Sequence, residues 1–146
     1  EFVDRRGLET EITVLRSRLN AVIIPQQTAI IQQLKQELTE YFAGNRTVFT
    51  VPIALIGSDF QKAVWQQLLA MKIGETYSYK QLAQRIGNEK ATRAVTNANG
   101  KNQLALIVPC HRVINSDGSI GGYGGGVERK KWLLALEKQV QPTVKI

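Results

Sequence analysis

The sequence predicts an α+β fold in which helices dominate and the sheet is small. Apolar residues recur at helical spacing in several segments, and short β-branched apolar runs lie between them. The chain has 146 residues, of which 43% are hydrophobic, enough for one domain or for two small lobes that share a core. Gly57 and Ser58 indicate a hinge, so we expect lobes over residues 1–56 and 57–146.

The first lobe, residues 1–56, is predicted to support the second. Helices are expected over residues 8–19 and over a long amphipathic stretch that ends at Gly44. Strands are expected at residues 21–24 and 49–55. No residue pattern typical of catalysis occurs in this lobe.

The second lobe contains two helix starts of the same type. Ser58 with Gln61, and Ser78 with Gln81, match the capping box, in which two residues three positions apart cap the backbone reciprocally. A glycine-containing turn follows, and another helix is predicted over residues 90–98. The side chains expected to face the core are Phe60, Val64, Leu68, Leu69, Leu82, Ala83, Ile86, Ala91, Ala94, Val95 and Ala98, with Trp65 packed beside them.

Two short helices joined by a glycine-containing turn predict a helix-turn-helix, with an ordinary helical hairpin as the alternative. The expected outer face of its second helix carries Lys90, Arg93, Thr96 and Asn97. Residues 1–56 contribute nothing to the net charge of +7, because basic and acidic residues cancel there. The second lobe holds the whole excess, which favours a polyanionic partner such as nucleic acid over a generic basic surface.

The only cysteine and the only histidine of the chain are adjacent, in the motif Pro109-Cys110-His111-Arg112-Val113. The apolar run of residues 104–108 predicts a buried strand that ends at this motif. A reactive thiol is one interpretation. A structural cysteine beside a surface histidine is the other, since neighbours on a strand point to opposite faces.

The same two residues exclude several classes of protein. A single cysteine forms no internal disulfide, which fits a reducing cytoplasm. One cysteine and one histidine are too few for a zinc site of the usual kind, so we expect no metal.

No segment is long and apolar enough to cross a bilayer, so we expect no membrane partner.

A glycine-rich loop follows the Cys-His pair. Six of the chain's twelve glycines lie within residues 118–126, and Tyr123 stands among them. Such a loop lets the backbone approach a flat ligand closely, and an aromatic ring is available to cover it.

The last helix is predicted over residues 126–138, with Val127, Leu133 and Leu134 facing inward. Glu137 falls on the same stripe, and a carboxylate on an apolar face needs a partner. The candidate partner is His111. Pairing with Lys138 at a fraying helix end is the alternative.

Taken together, these motifs resemble those of the O6-alkylguanine-DNA alkyltransferases, a family that repairs DNA by direct reversal. The resemblance runs from about Ser58 to Glu137, with the helix-turn-helix, the Cys-His motif and the trailing glutamate in the family's order. Residues 41–52 are similar to the family's ribonuclease-H-like first domain, here shortened at its start. We therefore expect a cytoplasmic, nucleoid-associated monomer that is fused to or cut from a larger regulator.

The resemblance implies a single-use reaction in which Cys110 accepts the alkyl group of O6-alkylguanine, with O4-alkylthymine as a further substrate. Glu137 would orient His111, which would hold a water that takes the thiol proton. Asn102 would brace the turn before the cysteine. Tyr79 would push on the phosphate and donate to the base. The product is a stable thioether, so the protein is consumed, and no cofactor is implied.

The resemblance also implies that the helix-turn-helix lies in the minor groove of double-stranded DNA and that the damaged nucleotide is flipped out. Arg93 would take the place of the extruded base. The residues implied to contact DNA are Lys90, Thr92, Arg93, Ala94, Asn97 and Tyr79. Those implied around the base are Pro109, Val113, Tyr123, Gly124 and Asn99. Gly124 and Asn99 depart from residues found in some relatives, which leaves the preferred alkyl size open.

Two other functions are the alternatives. One is a helix-turn-helix protein that binds alkylated DNA without chemistry, but relatives of that kind have lost the cysteine, which is present here as Cys110. The other is a cysteine hydrolase with a Cys-His dyad. That reaction would leave the basic helix-turn-helix without a purpose.

Overall fold

The computed structural model describes residues 1–140 and has the predicted α+β class. The helices are α1 (Leu8–Leu19), α2 (Ala29–Phe42), α3 (Asp59–Leu69), α4 (Tyr79–Arg85), α5 (Thr92–Gly100) and α6 (Val127–Gln139). The strands β1 (Tyr77–Ser78) and β2 (Val113–Ile114) pair in parallel, with Tyr77 opposite Val113. Two 3₁₀ turns, Glu89–Ala91 and Cys110–Arg112, lie directly before α5 and β2. No helix among residues 1–140 is long and apolar enough to span a membrane.

The first lobe contains α1 and α2, but residues 21–24 and 49–55 form no strand, so both strand predictions are wrong. Neither run has a neighbouring strand within the described residues. The backbone N–H groups of Thr50 and Val51 donate instead to the carboxylate of Glu37 on α2, at 2.5 and 3.3 Å. A buried helix side chain thus satisfies donors that a strand partner would otherwise satisfy.

The core of the second lobe lies where α3, α4 and α5 pack together. Both predicted capping boxes are present, at the starts of α3 and α4. The indole Nε1 of Trp65 donates to the carbonyl of Ala98 at 2.9 Å, which joins α3 to α5. The buried apolar side chains of these helices are Val64, Trp65, Leu68, Leu82, Ala83, Val95 and Ala98.

Four side chains predicted to face the core are exposed: Phe60, Leu69, Ala94 and Val127. On α3 the buried stripe is narrower than predicted and consists of Val64, Trp65 and Leu68. On α5 the buried face consists of Val95, Ala98 and Asn99, and Ala94 lies outside it, exposed to solvent. Val127 lies in the first turn of α6, before that helix reaches the core.

α4, a turn and α5 form the arrangement predicted for a helix-turn-helix. Gly87 in the turn has a φ of 80°, a left-handed conformation that glycine adopts without strain. α5 begins at Thr92 rather than at residue 90, because Glu89–Ala91 form a 3₁₀ turn. The four side chains predicted for the outer face, Lys90, Arg93, Thr96 and Asn97, are exposed.

The predicted strand over residues 104–108 is wrong, since this segment is a series of turns. Leu106 has a left-handed φ of 74°, which no strand residue adopts. The N–H of Val108 donates to the carbonyl of Leu104 at 2.9 Å, closing the segment into a loop. The only strand near the Cys-His motif in the described residues is β2, which follows it and pairs with β1.

Candidate active site

Cys110 borders a cavity of about 320 Å³ in the second lobe. The residue is 9% exposed, so the cavity is the route by which a ligand reaches its thiol. Its N–H donates to the carbonyl of Val108 at 2.8 Å, which makes Pro109 the centre of a tight γ-turn. This turn and the 3₁₀ turn after it place the cysteine where the hydrophobic core borders the cavity.

Six of the residues predicted for the site line this cavity: Tyr79, Asn99, Asn102, Cys110, Tyr123 and Gly124. Two predicted pocket residues, Pro109 and Val113, do not. Val113 is fully buried and its carbonyl accepts from Lys130, while Pro109 borders a separate cavity of about 560 Å³. The tight turns at Cys110 direct successive residues to different sides, so these neighbours point away from the thiol's cavity.

Five of the six residues predicted to contact DNA lie on α5 or in the 3₁₀ turn before it, and the sixth, Tyr79, starts α4. Lys90, Arg93, Ala94 and Asn97 are exposed, and Thr92 is half-buried. The other end of α5 reaches the cavity through Asn99 and Gly100, and Thr96 lines it as well. One short helix therefore connects an exposed basic face to the cavity of Cys110.

A buried cluster of charged groups surrounds Glu137, which is 1% exposed. The Nε2 of His111 is hydrogen-bonded to Oε1 of Glu137. Arg112 Nε donates to both carboxylate oxygens at 2.9 Å, and the hydroxyl of Tyr41 donates to Oε1 at 3.3 Å. Within the described residues Glu137 therefore pairs with His111, as predicted, and not with Lys138.

Burial and hydrogen bonding together set the protonation states of His111 and Glu137. Burial lowers the pKa of His111 and outweighs the opposing hydrogen bond with Glu137, so the imidazole is neutral. Burial opposes the ionisation of Glu137, yet hydrogen bonds from His111 and Arg112 bring its pKa below the ordinary value. A neutral imidazole that donates Nε2–H to a carboxylate keeps Nδ1 as an acceptor. In residues 1–140 this Nδ1 is buried and has no hydrogen-bond partner.

The thiol of Cys110 is protonated at neutral pH, because burial raises its pKa more than a hydrogen bond with Asn102 lowers it. Asn102 also fixes the loop before the cysteine. Its Nδ2 donates to the carbonyl of Val108 at 2.8 Å, and its Oδ1 accepts from the N–H of Leu104 at 3.0 Å. Nucleophilic chemistry at Cys110 therefore requires a group that removes the thiol proton.

Sequence reasoning missed two buried cations, Arg112 and Lys130. The Nζ of Lys130 donates to the carbonyls of Val113 and Gly122, at 2.7 and 3.0 Å, and so ties β2 to the glycine-rich loop. Burial lowers the pKa of Lys130 to about 8. Helical spacing could have identified this lysine, since it lies on the same face of α6 as Leu133. No periodic signal marks Arg112.

Comparison with known proteins decides the family. Residues 59–139 match the sequence profile of the DNA binding domain of 6-O-methylguanine DNA methyltransferase, which is more than half of the chain. The chain belongs to this family. Residues 11–55 match the profile of its ribonuclease-like domain. The resemblance to the alkyltransferases is thereby confirmed.

Individual relatives agree with this assignment. A methylated-DNA–protein-cysteine methyltransferase of Mycobacterium bovis is 53% identical over 106 residues, which are 73% of this chain and 64% of that protein. The chain thus spans just under two thirds of the length of that relative. The crystal structure of Mycobacterium tuberculosis OGT in complex with DNA has 50% identity and a TM-score of 0.74, over 77% of this chain and 70% of that one. The structure of S. pombe Atl1 with damaged DNA has 28% identity and a TM-score of 0.51, over 57% and 79%.

Proposed function

We propose that this chain repairs DNA by transferring the alkyl group of O6-alkylguanine to the sulfur of Cys110, once per molecule. The position of Cys110 carries the proposal, since its cavity adjoins α5 and the cysteine directly precedes a buried histidine paired with Glu137. The names of the relatives support the same chemistry, because they are methylated-DNA–protein-cysteine methyltransferases. O4-alkylthymine, which presents an alkyl group in a similar way, is the second substrate in this proposal.

The target atom is hidden inside the base stack of a duplex, so the nucleotide has to be flipped out at a cost of a few kcal/mol. In our proposal α5 lies in the minor groove, and Arg93, which is exposed at its start, takes the place of the lost base. Tyr79 lines the cavity, and burial raises the pKa of its phenol. The phenol therefore keeps its proton and can donate it to the base.

The transfer itself forms a bond between the sulfur and the alkyl carbon and breaks the bond between that carbon and O6. The thiol proton passes through a water to Nδ1 of His111, while Glu137 holds the imidazole and balances its new charge. The electron pair of the broken bond stays on guanine, which takes a proton through the hydrogen bond from Tyr79. Solvent returns a proton to Tyr79 and accepts the one on His111, so the net transfer is of the thiol proton to guanine. The thioether that remains has no second nucleophile within residues 1–140 to relieve it, since Cys110 is the only cysteine.

The two lobes divide this work in our proposal. Residues 57–146 bind the lesion and carry the reaction, whereas residues 1–56 support them, for example through the contact of Tyr41 with Glu137. The protein would act as a monomer, at the nucleoid of the cytoplasm. The charge distribution supports this division, since the whole net charge of +7 lies in the second lobe.

Intact mass spectrometry tests the proposal. The protein is mixed with an excess of duplex oligonucleotide that contains one O6-methylguanine, and the modified residue is then mapped. We expect the mass of one methylene group to be added at Cys110, with no further gain at longer times. The variant Cys110→Ser should bind the same duplex and gain no mass.

Other outcomes would replace the proposal. Tight binding without a change in mass would make the chain a lesion-recognition protein, the alternative considered from the sequence. Loss of the methyl group from DNA with continued turnover would exclude the single-use reaction.

A further inference from the structure

The segment before α1, residues 1–7, lies across the glycine-rich loop and is called the arm below. The ring of Phe2 makes an edge contact with Tyr123, with ring centroids 6.1 Å apart. Asp4 pairs with Arg129 of α6 through both carboxylate oxygens, at 2.5 and 3.0 Å. The arm therefore packs on the same loop that forms one side of the Cys110 cavity.

Arg5 of the arm lines that cavity together with Cys110. Its guanidinium donates to the carbonyl of Asn102 at 3.0 Å and to that of Gly100 at 2.7 Å. It also pairs with Glu11 at 3.0 Å, and its side chain is only 14% exposed. Hydrogen bonds from a charged donor are stronger than those between neutral groups. These contacts hold the guanidinium firmly against the end of α5.

The guanidinium of Arg5 lies directly against Gly124 of the glycine-rich loop. A Cβ added to Gly124 would lie 2.8 Å from the guanidinium carbon of Arg5, closer than real contacts allow. The φ of Gly124 lies outside the left-handed region, so the backbone does not require glycine there. Gly125 shows the same relation to Phe2, whose ring would lie 2.5 Å from an added Cβ. Arg5 thus occupies the space that a side chain at position 124 would fill.

We propose that Arg5 is a specificity-determining residue, whose guanidinium forms the cavity wall that limits the size of the alkyl group accepted beside Cys110. This inference rests on the proposed function, because it concerns the same cavity and the same reaction. The wall is rigid, since moving it breaks two hydrogen bonds to backbone carbonyls and two ion pairs, with Glu1 and Glu11. One methylene group more or less in a closed pocket changes rates by about 10–200-fold.

The test compares two substrates in each variant. Second-order rate constants for alkyl transfer are measured on duplexes that contain O6-methylguanine or O6-benzylguanine. In Arg5→Ala the ratio of benzyl to methyl transfer should rise about tenfold, because the wall recedes. In Arg5→Ala with Gly124→Leu, a side chain from the loop refills the space, and the ratio should return to that of the unchanged protein.

Arg6→Ala is the matched control, since it removes the same charge from an adjacent position that does not line this cavity. Its ratio should not change. Arg5→Met is measured as well, because it keeps the aliphatic stem and replaces the alanine variant if that variant does not fold. Its ratio of benzyl to methyl transfer should also rise.

An unchanged ratio in Arg5→Ala and Arg5→Met, or an equal loss of both rates, would mean that Arg5 only holds the arm in place and would overturn the inference. A raised ratio that Gly124→Leu does not restore would also contradict it, because the space would then not be the cause. If the unchanged protein alkylates Cys110 with neither substrate, the proposed function itself fails.

Discussion

Glu137 is the counter-ion of the buried Arg112 in the second lobe. Three groups bind its carboxylate: the imidazole of His111, the guanidinium of Arg112 and the hydroxyl of Tyr41. Arg112 is only 6% exposed, and its Nη1 also donates to the carbonyl of Met71 at 2.9 Å. A charge buried in this way is stable only while its partner remains ionised.

Replacing Glu137 with Gln should therefore destabilise the protein, because Arg112 would keep its buried charge and lose its counter-ion. Removing one partner of a buried pair costs about 3–5 kcal/mol, and we expect a loss near 3 kcal/mol in urea unfolding at pH 7. Alkyl transfer should slow as well, since His111 loses the group that orients it, while affinity for DNA should stay the same.

Glu128→Gln is the control on the same helix, since Glu128 is exposed and, among residues 1–140, pairs only with Lys131, at 3.3 Å. It should change the free energy of unfolding by less than about 1 kcal/mol. An equally small effect of Glu137→Gln would contradict the buried-pair argument, and an unchanged transfer rate would remove Glu137 from the relay.

The pH dependence of this stabilisation has a definite sign. The pKa of Glu137 is lower in the folded protein than its ordinary value of 4.5. Its contribution is therefore fully present above about pH 4.5 and is lost as the pH falls through the folded pKa. The stability difference between the unchanged protein and Glu137→Gln should shrink on acidification from pH 7 to pH 3. A constant difference over that range would contradict the assignment.

At the scale of elements, α5 has one face buried in the core and another exposed to solvent. Val95, Ala98 and Asn99 are buried, and the side chain of Asn99 donates to the carbonyl of Cys110 at 3.3 Å. Arg93 lies on the exposed side. The helix that would enter the DNA groove is therefore bonded directly to the turn that presents the thiol.

This arrangement predicts that Arg93→Ala affects the two kinds of substrate differently. Repair of O6-methylguanine in duplex DNA should slow about tenfold or more, because extruding the base costs a few kcal/mol and Arg93 would no longer fill the space that it leaves. Reaction with free O6-benzylguanine needs no base flipping and should change less than about twofold. Arg16→Ala, an exposed arginine of α1 in the first lobe, should change neither rate. Equal losses with both substrates would argue against a flipping role for Arg93.

Elements whose signals are local were predictable from the sequence. The capping boxes at Ser58 and Ser78 and the glycine at position 87 identify helix starts and a turn through contacts within a few residues. The helices over residues 8–19 and 126–138 were predicted to within one residue at either end. For Glu137, helical spacing suggested His111 as a partner and left Lys138 open, and the structure shows the contact with His111. The grouping of both with Cys110 came from the family resemblance and stays a prediction.

Elements that depend on distant partners were not predictable. Residues 104–108 have the composition of a strand, but the side chain of Asn102 binds both ends of the segment and turns it into a loop. Residues 49–55 lack a strand partner and bind Glu37 instead. The contact of Arg5 with Asn102 spans 97 positions, a distance over which periodicity carries no information.

At the scale of the whole molecule, the net charge is distributed unequally between the two lobes. The first lobe is neutral overall, and several of its ionised side chains pair with one another or with the second lobe, as Arg46 does with Glu40 and Asp4 with Arg129. The excess of +7 lies in the second lobe, where Arg112 and Lys130 are buried, while exposed basic side chains such as Lys90 and Arg93 are available to an external anion. On DNA, such an excess acts by releasing counterions from the phosphates.

Binding to duplex DNA should accordingly weaken steeply with salt. If about four phosphates are contacted, the slope of log K against log salt is about −3.6, so doubling the salt lowers the affinity about twelvefold. Fluorescence anisotropy with a labelled duplex between low and moderate salt measures this slope. Lys90→Ala should reduce its magnitude by about one, because a phosphate contact is lost from α5, whereas Arg16→Ala in the neutral lobe should leave it unchanged. A flat response would mean that the basic lobe does not meet the DNA backbone, and the minor-groove proposal would then lose its electrostatic basis.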